Sequence, residues 1–186
     1  MQMNMRDRIY LSTLEDDHIY HFMELSADPE LVATEGWSPF QKNEKDRFLE
    51  WFHVITVPYL QDGQTKVFSV IKSDDLKAIG FTSLKGMHDE SRKAELGIAI
   101  MEKDCRGQGY GTEALDLTAK HAFKDFGLKM LGLTVFPANK RAVRAYEKVG
   151  FQGKELLKDS WLLPDGNRVD MLLMELTCDR WVDLRE

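Results

Sequence analysis

Apolar positions along the chain alternate between a helical period and a β period, and the changes of period delimit its elements. Arg8 to Ser12 is a short mixed apolar segment that predicts an opening strand. Glu15 to Ala27 predicts a helix with Ile19, Phe22, Met23 and Ser26 on one side, and Thr13 is placed to cap it. Gly36 to Pro39 predicts a loop. Lys42 to Val57 carries Phe48, Phe52 and Ile55 at helical spacing, and Pro58 stops it. The period then changes. Val67 to Ile71, Ala78 to Leu84 and Ala94 to Met101 are β-rich runs, the first two separated by the turn cluster Ser73-Asp74-Asp75. Thr112 to Phe126 returns to helical period with Leu115, Ala119, Ala122 and Phe126 aligned, and Gly127 comes next as a C-terminal cap. Met130 to Phe136 predicts a strand, and Lys140 to Val149 a helix ending at Gly150. Phe151 to Leu163 and Arg168 to Thr177 flank the turn signal Pro164-Asp165-Gly166-Asn167 and should pair as an antiparallel hairpin. The resulting order is one strand, two helices, three strands, helix, strand, helix, two strands. It predicts a mixed α/β (α+β) domain with a largely antiparallel sheet.

Composition narrows the picture. A chain of 186 residues with no repeat, linker or low-complexity tract fits one domain over 1–186. The formal charge of -6 argues against a general nucleic-acid partner and would tolerate a cationic substrate. The two cysteines, Cys105 and Cys178, form no CxxC pair, so a zinc or thioredoxin-like site is not expected, and their scarcity fits a reducing cytoplasm. The N-terminus has no apolar core of signal-peptide length, and no segment approaches the roughly 18 apolar residues of a membrane span. The expectation is a soluble, cytoplasmic protein without a membrane partner.

The segment Arg106-Gly107-Gln108-Gly109-Tyr110-Gly111-Thr112 lies between a strand and a helix, and opens the helix. Its glycines remove side chains that would keep a ligand off the backbone and can reach φ > 0, turning successive N–H groups inward as an anion nest. The free amides and positive dipole end of the adjoining helix complete a phosphate site. Arg106 could add a cationic contact. A glycine-rich surface turn is the plainer alternative. Two other phosphate motifs fail in detail: a P-loop needs Lys after its last Gly, where Thr112 stands, and GxGxxG would need its third Gly at that same position.

Arg106, Gly109 and Gly111 fit the form Arg-x-x-Gly-x-Gly, and here the chain resembles the GNAT N-acetyltransferase superfamily. A second match lies at Asn139, Ala142, Tyr146, Glu147, Lys148, Gly150 and Phe151, which is similar to the family's Asn-x-x-Ala-x-x-x-Tyr-Glu-Lys-x-Gly-Phe segment. The resemblance is sharp over Ala94 to Phe151. The N-terminal helical arm and final hairpin look like the branch containing ribosomal-protein N-terminal acetyltransferases and spermidine acetyltransferases. It implies a seven-stranded twisted sheet flanked by about four helices and splayed between strands 4 and 5. It also implies acetyl-CoA as acetyl donor, no metal, a homodimer as one assembly, and transfer to a primary amine in a ternary complex. The acceptor could be a protein N-terminus, a polyamine or another small amine.

The resemblance also implies residue roles. The backbone of Ile98, Ala99 and Ile100 would pair with the pantetheine amides, and Arg106, Gly107, Gln108, Gly109, Tyr110, Gly111 and Thr112 would receive the pyrophosphate. Asn139 and Ala142 would contact the cofactor, Asn139 serving equally as a helix cap. Tyr146 would contact the cofactor and act as general acid toward the departing thiolate, a phenol having an ordinary pKa of about 10; aromatic packing is its alternative. Glu95 is the candidate general base for the amine, or else a solvated strand residue. A covalent route through Cys105, with a cation lowering its pKa, and a metal site at His18 and His21 are weaker alternatives. Trp37 is placed near the acceptor, and Phe40, Trp51, Phe52 and Trp161 in the core. Two other function classes compete: a non-catalytic acyl-CoA-binding or sensor module, which the presence of Tyr146 disfavours, and a nucleotide switch, disfavoured by the missing P-loop Lys.

Overall fold

The computed structural model describes residues 7–35, 63–88, 90–163 and 165–185. The chain runs β1 (Ile9–Thr13), α1 (Asp16–Leu25), α2 (Pro29–Glu35), β2 (Lys66–Lys72), β3 (Ala78–His88), β4 (Lys93–Ile100), α3 (Tyr110–Lys120), β5 (Met130–Val135), α4 (Lys140–Val149), β6 (Gln152–Leu162), β7 (Arg168–Thr177) and α5 (Cys178–Asp183). The strands form one seven-stranded sheet in the order β1-β2-β3-β4-β5-β7-β6. Every neighbouring pair is antiparallel except β4 and β5. The mixed, largely antiparallel seven-stranded architecture is the one the sequence predicts. The described residues add α2 and α5, which the periodicity does not flag because neither is much longer than two turns. The predicted helix at Lys42 to Val57 and the residues Trp37, Phe40, Trp51 and Phe52 lie outside the described residues.

Two layers of helices cover the sheet. On one face Leu96 and Leu84 pack with Leu115 and Ala119 of α3, Tyr146 and Val149 of α4, and Trp181 of α5. On the other, Ala99 and Ile71 pack with Phe22 of α1 and Leu31 of α2. Successive β4 side chains alternate between these two cores, as a pleated strand requires. The α1 face is as the pattern predicts: Ile19, Phe22, Met23 and Ser26 are all buried. Its cap differs. Thr13 is taken up as the last residue of β1, and Glu15 caps the helix in a reciprocal box, its backbone N–H donating to His18 Nδ1 at 3.3 Å.

The helix predicted to run to Phe126 instead stops being α-helical at Lys120, and His121–Asp125 form a π turn. The wider turn inserts a residue into the helical count and rotates the residues beyond it. Phe123 is therefore buried while Phe126 is 39% exposed. Gly127, at φ 66, ends the element as expected, with Leu128 N–H reaching Ala122 O at 2.9 Å. Trp161 also departs from expectation. It sits on edge strand β6 at 42% exposure, its ring edge-on to Phe136.

Candidate active site

The two central strands separate after a short contact. β4 pairs with β5 only at Lys93↔Met130, Ala94↔Leu131 and Glu95↔Gly132, while its other edge stays paired with β3 as far as Ile100↔Gly80. The stretch Leu96 to Ile100 is thus left without a β5 partner, which is the splay expected between strands 4 and 5. Along a strand, successive residues present their backbone groups to opposite edges. Met101 N–H donates to Ile79 O on β3 at 2.8 Å, so Ile100 faces the splay. Ile98 shares its direction. Ala99 turns its carbonyl toward β3, where a Cβ built on Gly80 would collide with it. The backbone groups that face the splay are therefore those of Ile98 and Ile100, the Ile100 carbonyl accepting there from Arg106 Nε at 3.0 Å, and Ala99 contributes to the wall of the cleft instead.

A cleft of about 400 Å³ opens there. One end is the glycine turn. Gly107 and Gly109 have φ 76 and 92, left-handed values that favour glycine, and Gly109 is the N-cap of α3. The first helical bond runs from Glu113 N–H to Gly109 O at 3.1 Å, so the amides of Tyr110, Gly111 and Thr112 precede the ladder and have no intrahelical acceptor. Gly111 is helical, and a Cβ there would meet only Ile100 Cγ1 at 3.6 Å, an ordinary contact. The protein itself does not require glycine at 111; a ligand against the backbone would.

Arg106 takes a different part from the cationic contact expected of it. Its side chain is only 4% exposed and spends its donors on the protein: Nε on Ile100 O at 3.0 Å, Nη2 on Met101 O, and Nη1 on Asp28 Oδ1 at 2.8 Å and Glu30 Oε2 at 3.2 Å. It fastens the turn to the end of β4 and to α2. Asp28 in turn caps α2, accepting from Glu30 N–H at 3.0 Å and Leu31 N–H at 3.2 Å. The Arg106 hydrogen bond holds the Asp28 carboxyl below the usual carboxylate range. Arg8, which the sequence does not single out, braces the turn from β1: Nη1 and Nη2 reach Gln108 O at 3.1 Å, and the guanidinium lies 4.5 Å from the Tyr110 ring centroid. Gln108 and Tyr110 do not line the cleft. The Gln108 amide folds back onto Asp104 O, and Tyr110 packs beneath Arg8.

The opposite wall is α4. Asn139 caps it, accepting from Ala142 N–H at 3.1 Å, and Gly150 at φ 116 ends it. Asn139, Ala142 and Tyr146 all line the cleft, with Ile98, Ile100, Arg106, Gly107, Gly109, Gly111 and Thr112. Tyr146 is 9% exposed, its ring edge-on to Phe151. The wall also carries Arg141, Arg144 and Lys148, whose three- and four-residue spacing is a signal that sequence reasoning missed. Arg141 pairs with Glu30 and thereby pulls that carboxyl below its ordinary range, tying α2 to the second wall as well.

Glu95 does not line the cleft; it is exposed and marks the last pair before β4 and β5 part. Cys105 does line it, but burial pushes its thiol up, contrary to the lowering that a cation could cause, which leaves the covalent route without an activated thiolate. His18 and His21 turn to different partners, Ser69 Oγ at 2.8 Å and Glu102 Oε1 at 2.7 Å, and no metal-binding group of three or more ligands occurs among the described residues. No helix among them is long and apolar enough to cross a membrane.

Comparison with known proteins is consistent with this geometry. The family described as acetyltransferase (GNAT) domain matches residues 8–152. An uncharacterized N-acetyltransferase of Bacillus subtilis, YoaA, is 26% identical over 91 residues, 49% of this chain and 51% of that protein. An uncharacterized N-acetyltransferase of Methanocaldococcus jannaschii, MJ1207, is 35% identical over 69 residues, 37% of this chain and 30% of its own length. The match thus spans about half or less of these curated relatives. Among solved structures, the spermidine N-acetyltransferase of Vibrio cholerae in complex with CoA and spermine superposes with a TM-score of 0.78, at 20% identity, over 94% of this chain and 98% of that one. This last likeness is one of fold.

Proposed function

The chain belongs to the GNAT acetyltransferase family, and from that premise we propose that it moves an acetyl group from acetyl-CoA to a primary amine by direct transfer in a ternary complex. The observation that carries the reading is the open β4 edge at Ile98 and Ile100, with the glycine turn at one end and Tyr146 on the facing wall. The residues present suit the donor. Gly107 and Gly109 supply a turn only glycine adopts readily, and the space over Gly111 is left free by the protein.

In this reading Ile98 and Ile100 bind the pantetheine amides as an added strand would. The amides of Gly107 to Thr112 take the diphosphate, and Asn139, whose Oδ1 is committed to the α4 cap, keeps its amide N–H groups for the donor. The thioester supplies an electrophilic carbonyl and a thiolate leaving group. Tyr146 holds the proton that the thiolate needs, and Glu95, at the mouth of the splay, removes one from the amine directly or through water. Arg106 acts through its neighbours by fixing the turn and the Ile100 carbonyl.

We place polyamines first among acceptors. Support comes from the acidic balance of the chain, -6, and from the spermine-bound fold neighbour. Protein N-termini and other small amines are the alternatives. The experiment is thiol release from acetyl-CoA against a panel of spermidine, spermine, amino sugars and N-terminal peptides. Release that depends on one acceptor class is the expected result; no acceptor-dependent release from any class would contradict the proposal and favour a non-catalytic binding module.

A further inference from the structure

The last helix, α5, lies beyond residues 8–152, which match the acetyltransferase family, yet it is fastened to both helices that flank the cleft. Thr177, the last residue of β7, caps it by accepting from Arg180 N–H at 3.3 Å. Trp181 is buried and donates from Nε1 to Asp116 Oδ1 of α3 at 2.9 Å. Arg185 binds the same carboxylate, its guanidinium 4.4 Å from the Trp181 ring centroid. Arg180 reaches the other helix: its Nε donates to the Gly150 carbonyl, at the end of α4, at 2.7 Å. Glycine at 150 permits this approach. Besides its φ of 116, a Cβ there would stand 2.7 Å from Leu184 Cδ1 and 3.1 Å from Leu176 Cδ1.

We propose that Arg180 is a positioning residue for the transfer step: by holding the Gly150 carbonyl it fixes the end of α4, and with it the reach of the Tyr146 phenol to the departing sulfur. The inference rests on Tyr146 being the acid toward the thiolate. The link between the two residues is short. The Tyr146 carbonyl accepts from Gly150 N–H at 3.1 Å and from Phe151 N–H at 3.0 Å, so the backbone of Tyr146 and the cap that Arg180 holds form one hydrogen-bonded unit. A charged donor holds a carbonyl more firmly than a neutral one. Without it, the last turn of α4, which bears Tyr146, loses its tie to α5, and a proton donor works only within hydrogen-bond reach of its acceptor. The coenzyme contacts are placed to escape this effect. The glycine turn is on the facing wall, and Asn139 stands at the far end of α4, about 15 Å from Gly150 along the axis.

The test is a double-mutant cycle on kcat, from thiol release with whichever amine of the panel supports it, over the wild type, Arg180→Ala, Tyr146→Phe and the double variant. It is run well below every melting temperature, beside the Kd for acetyl-CoA. Arg180→Ala should lower kcat on the order of tenfold, the scale of a small misplacement of a reacting group, with Kd changed less than about twofold. In the Tyr146→Phe background the same substitution should change kcat less than about twofold, because the two residues act as one unit. Arg180→Lys, which keeps a charged donor, should recover most of the loss. If Arg180→Ala does not fold, Arg180→Gln, with a shorter neutral donor, enters the cycle in its place. A lowered melting temperature with wild-type kcat, an equal loss of kcat in both backgrounds, or a rise in Kd as large as the fall in kcat would each overturn the inference and leave the transfer reading standing. Wild-type kcat in Tyr146→Phe alone would overturn the acid assignment, and release with no amine of the panel the transfer reading itself; either takes this inference with it.

Discussion

Arg106 Nη1 lies 2.8 Å from Asp28 Oδ1, and this pair joins the glycine turn to the first turn of α2. Asp28 is at once a helix cap and a counter-ion, and Arg106 is at once a clamp on the carbonyls of Ile100 and Met101 and a brace for α2. The turn that would receive the diphosphate is therefore held in place by the protein's own charges, and the Arg106 side chain, most easily mistaken for a ligand contact, has its donors engaged by the protein.

Arg106→Ala should destabilise the fold by about 3–5 kcal/mol, because it strands the Asp28 carboxylate and two carbonyls behind the turn. The effect should depend on pH with a definite sign. Asp28 is held below its ordinary value when folded, so its contribution is complete above the unfolded pKa of about 3.9 and disappears as pH falls through the lower folded value. Urea denaturation at pH 7 and at pH 3 should show the gap between wild type and variant narrowing in acid. A gap of constant size would mean that the pair does not carry the stability.

Glycine substitutions should separate ligand space from backbone strain. Gly111→Ala adds a methyl group that the protein accommodates at 3.6 Å from Ile100 Cγ1, in a helix where alanine is favoured by about 0.5–1 kcal/mol. Its melting temperature should hold or rise while its affinity for acetyl-CoA falls at least tenfold. Gly109→Val should lose both, since it forces a β-branched residue to φ 92 with its Cβ 3.0 Å from Arg8 Nη2. Calorimetry beside thermal melts would distinguish these; a Gly111→Ala protein that binds acetyl-CoA as the wild type does would show that the donor's phosphates lie elsewhere.

Much of the fold was legible in the residues. The seven strands, the α1 face and both ends of α4 can be read from period, capping and turn chemistry, which are local. The hidden parts are those where distant segments compete for a group. Nothing adjacent to Arg106 reveals that Asp28, 78 positions away, and its neighbour Glu30 claim its guanidinium. Thr13 is a fair cap by type, but β1 takes it into the sheet. Phe126 has the right spacing for the core until the π turn adds a residue to the count. Ala99 lies in the right strand, yet the direction of its carbonyl depends on the β3 register.

Glu95→Gln should lower kcat/KM for the amine while leaving the Kd for acetyl-CoA near the wild-type value. The deficit should be largest at low pH, where the amine is mainly protonated and a base is most needed, and should shrink as pH rises toward the amine's own pKa. The pH–rate profiles of both proteins check this. Parallel profiles of equal height would return Glu95 to the role of an exposed strand residue, in keeping with its place outside the cleft lining.

The most direct test of the account is Tyr146→Phe, with kcat from thiol release measured beside an independently determined Kd for acetyl-CoA. The substitution removes one oxygen and keeps the ring against Phe151. If the phenol gives its proton to the departing thiolate, kcat should fall by about 10²–10⁴-fold, while Kd and melting temperature change little, since the transfer matters in the transition state. A variant with wild-type kcat would contradict the account and leave Tyr146 as a packing residue.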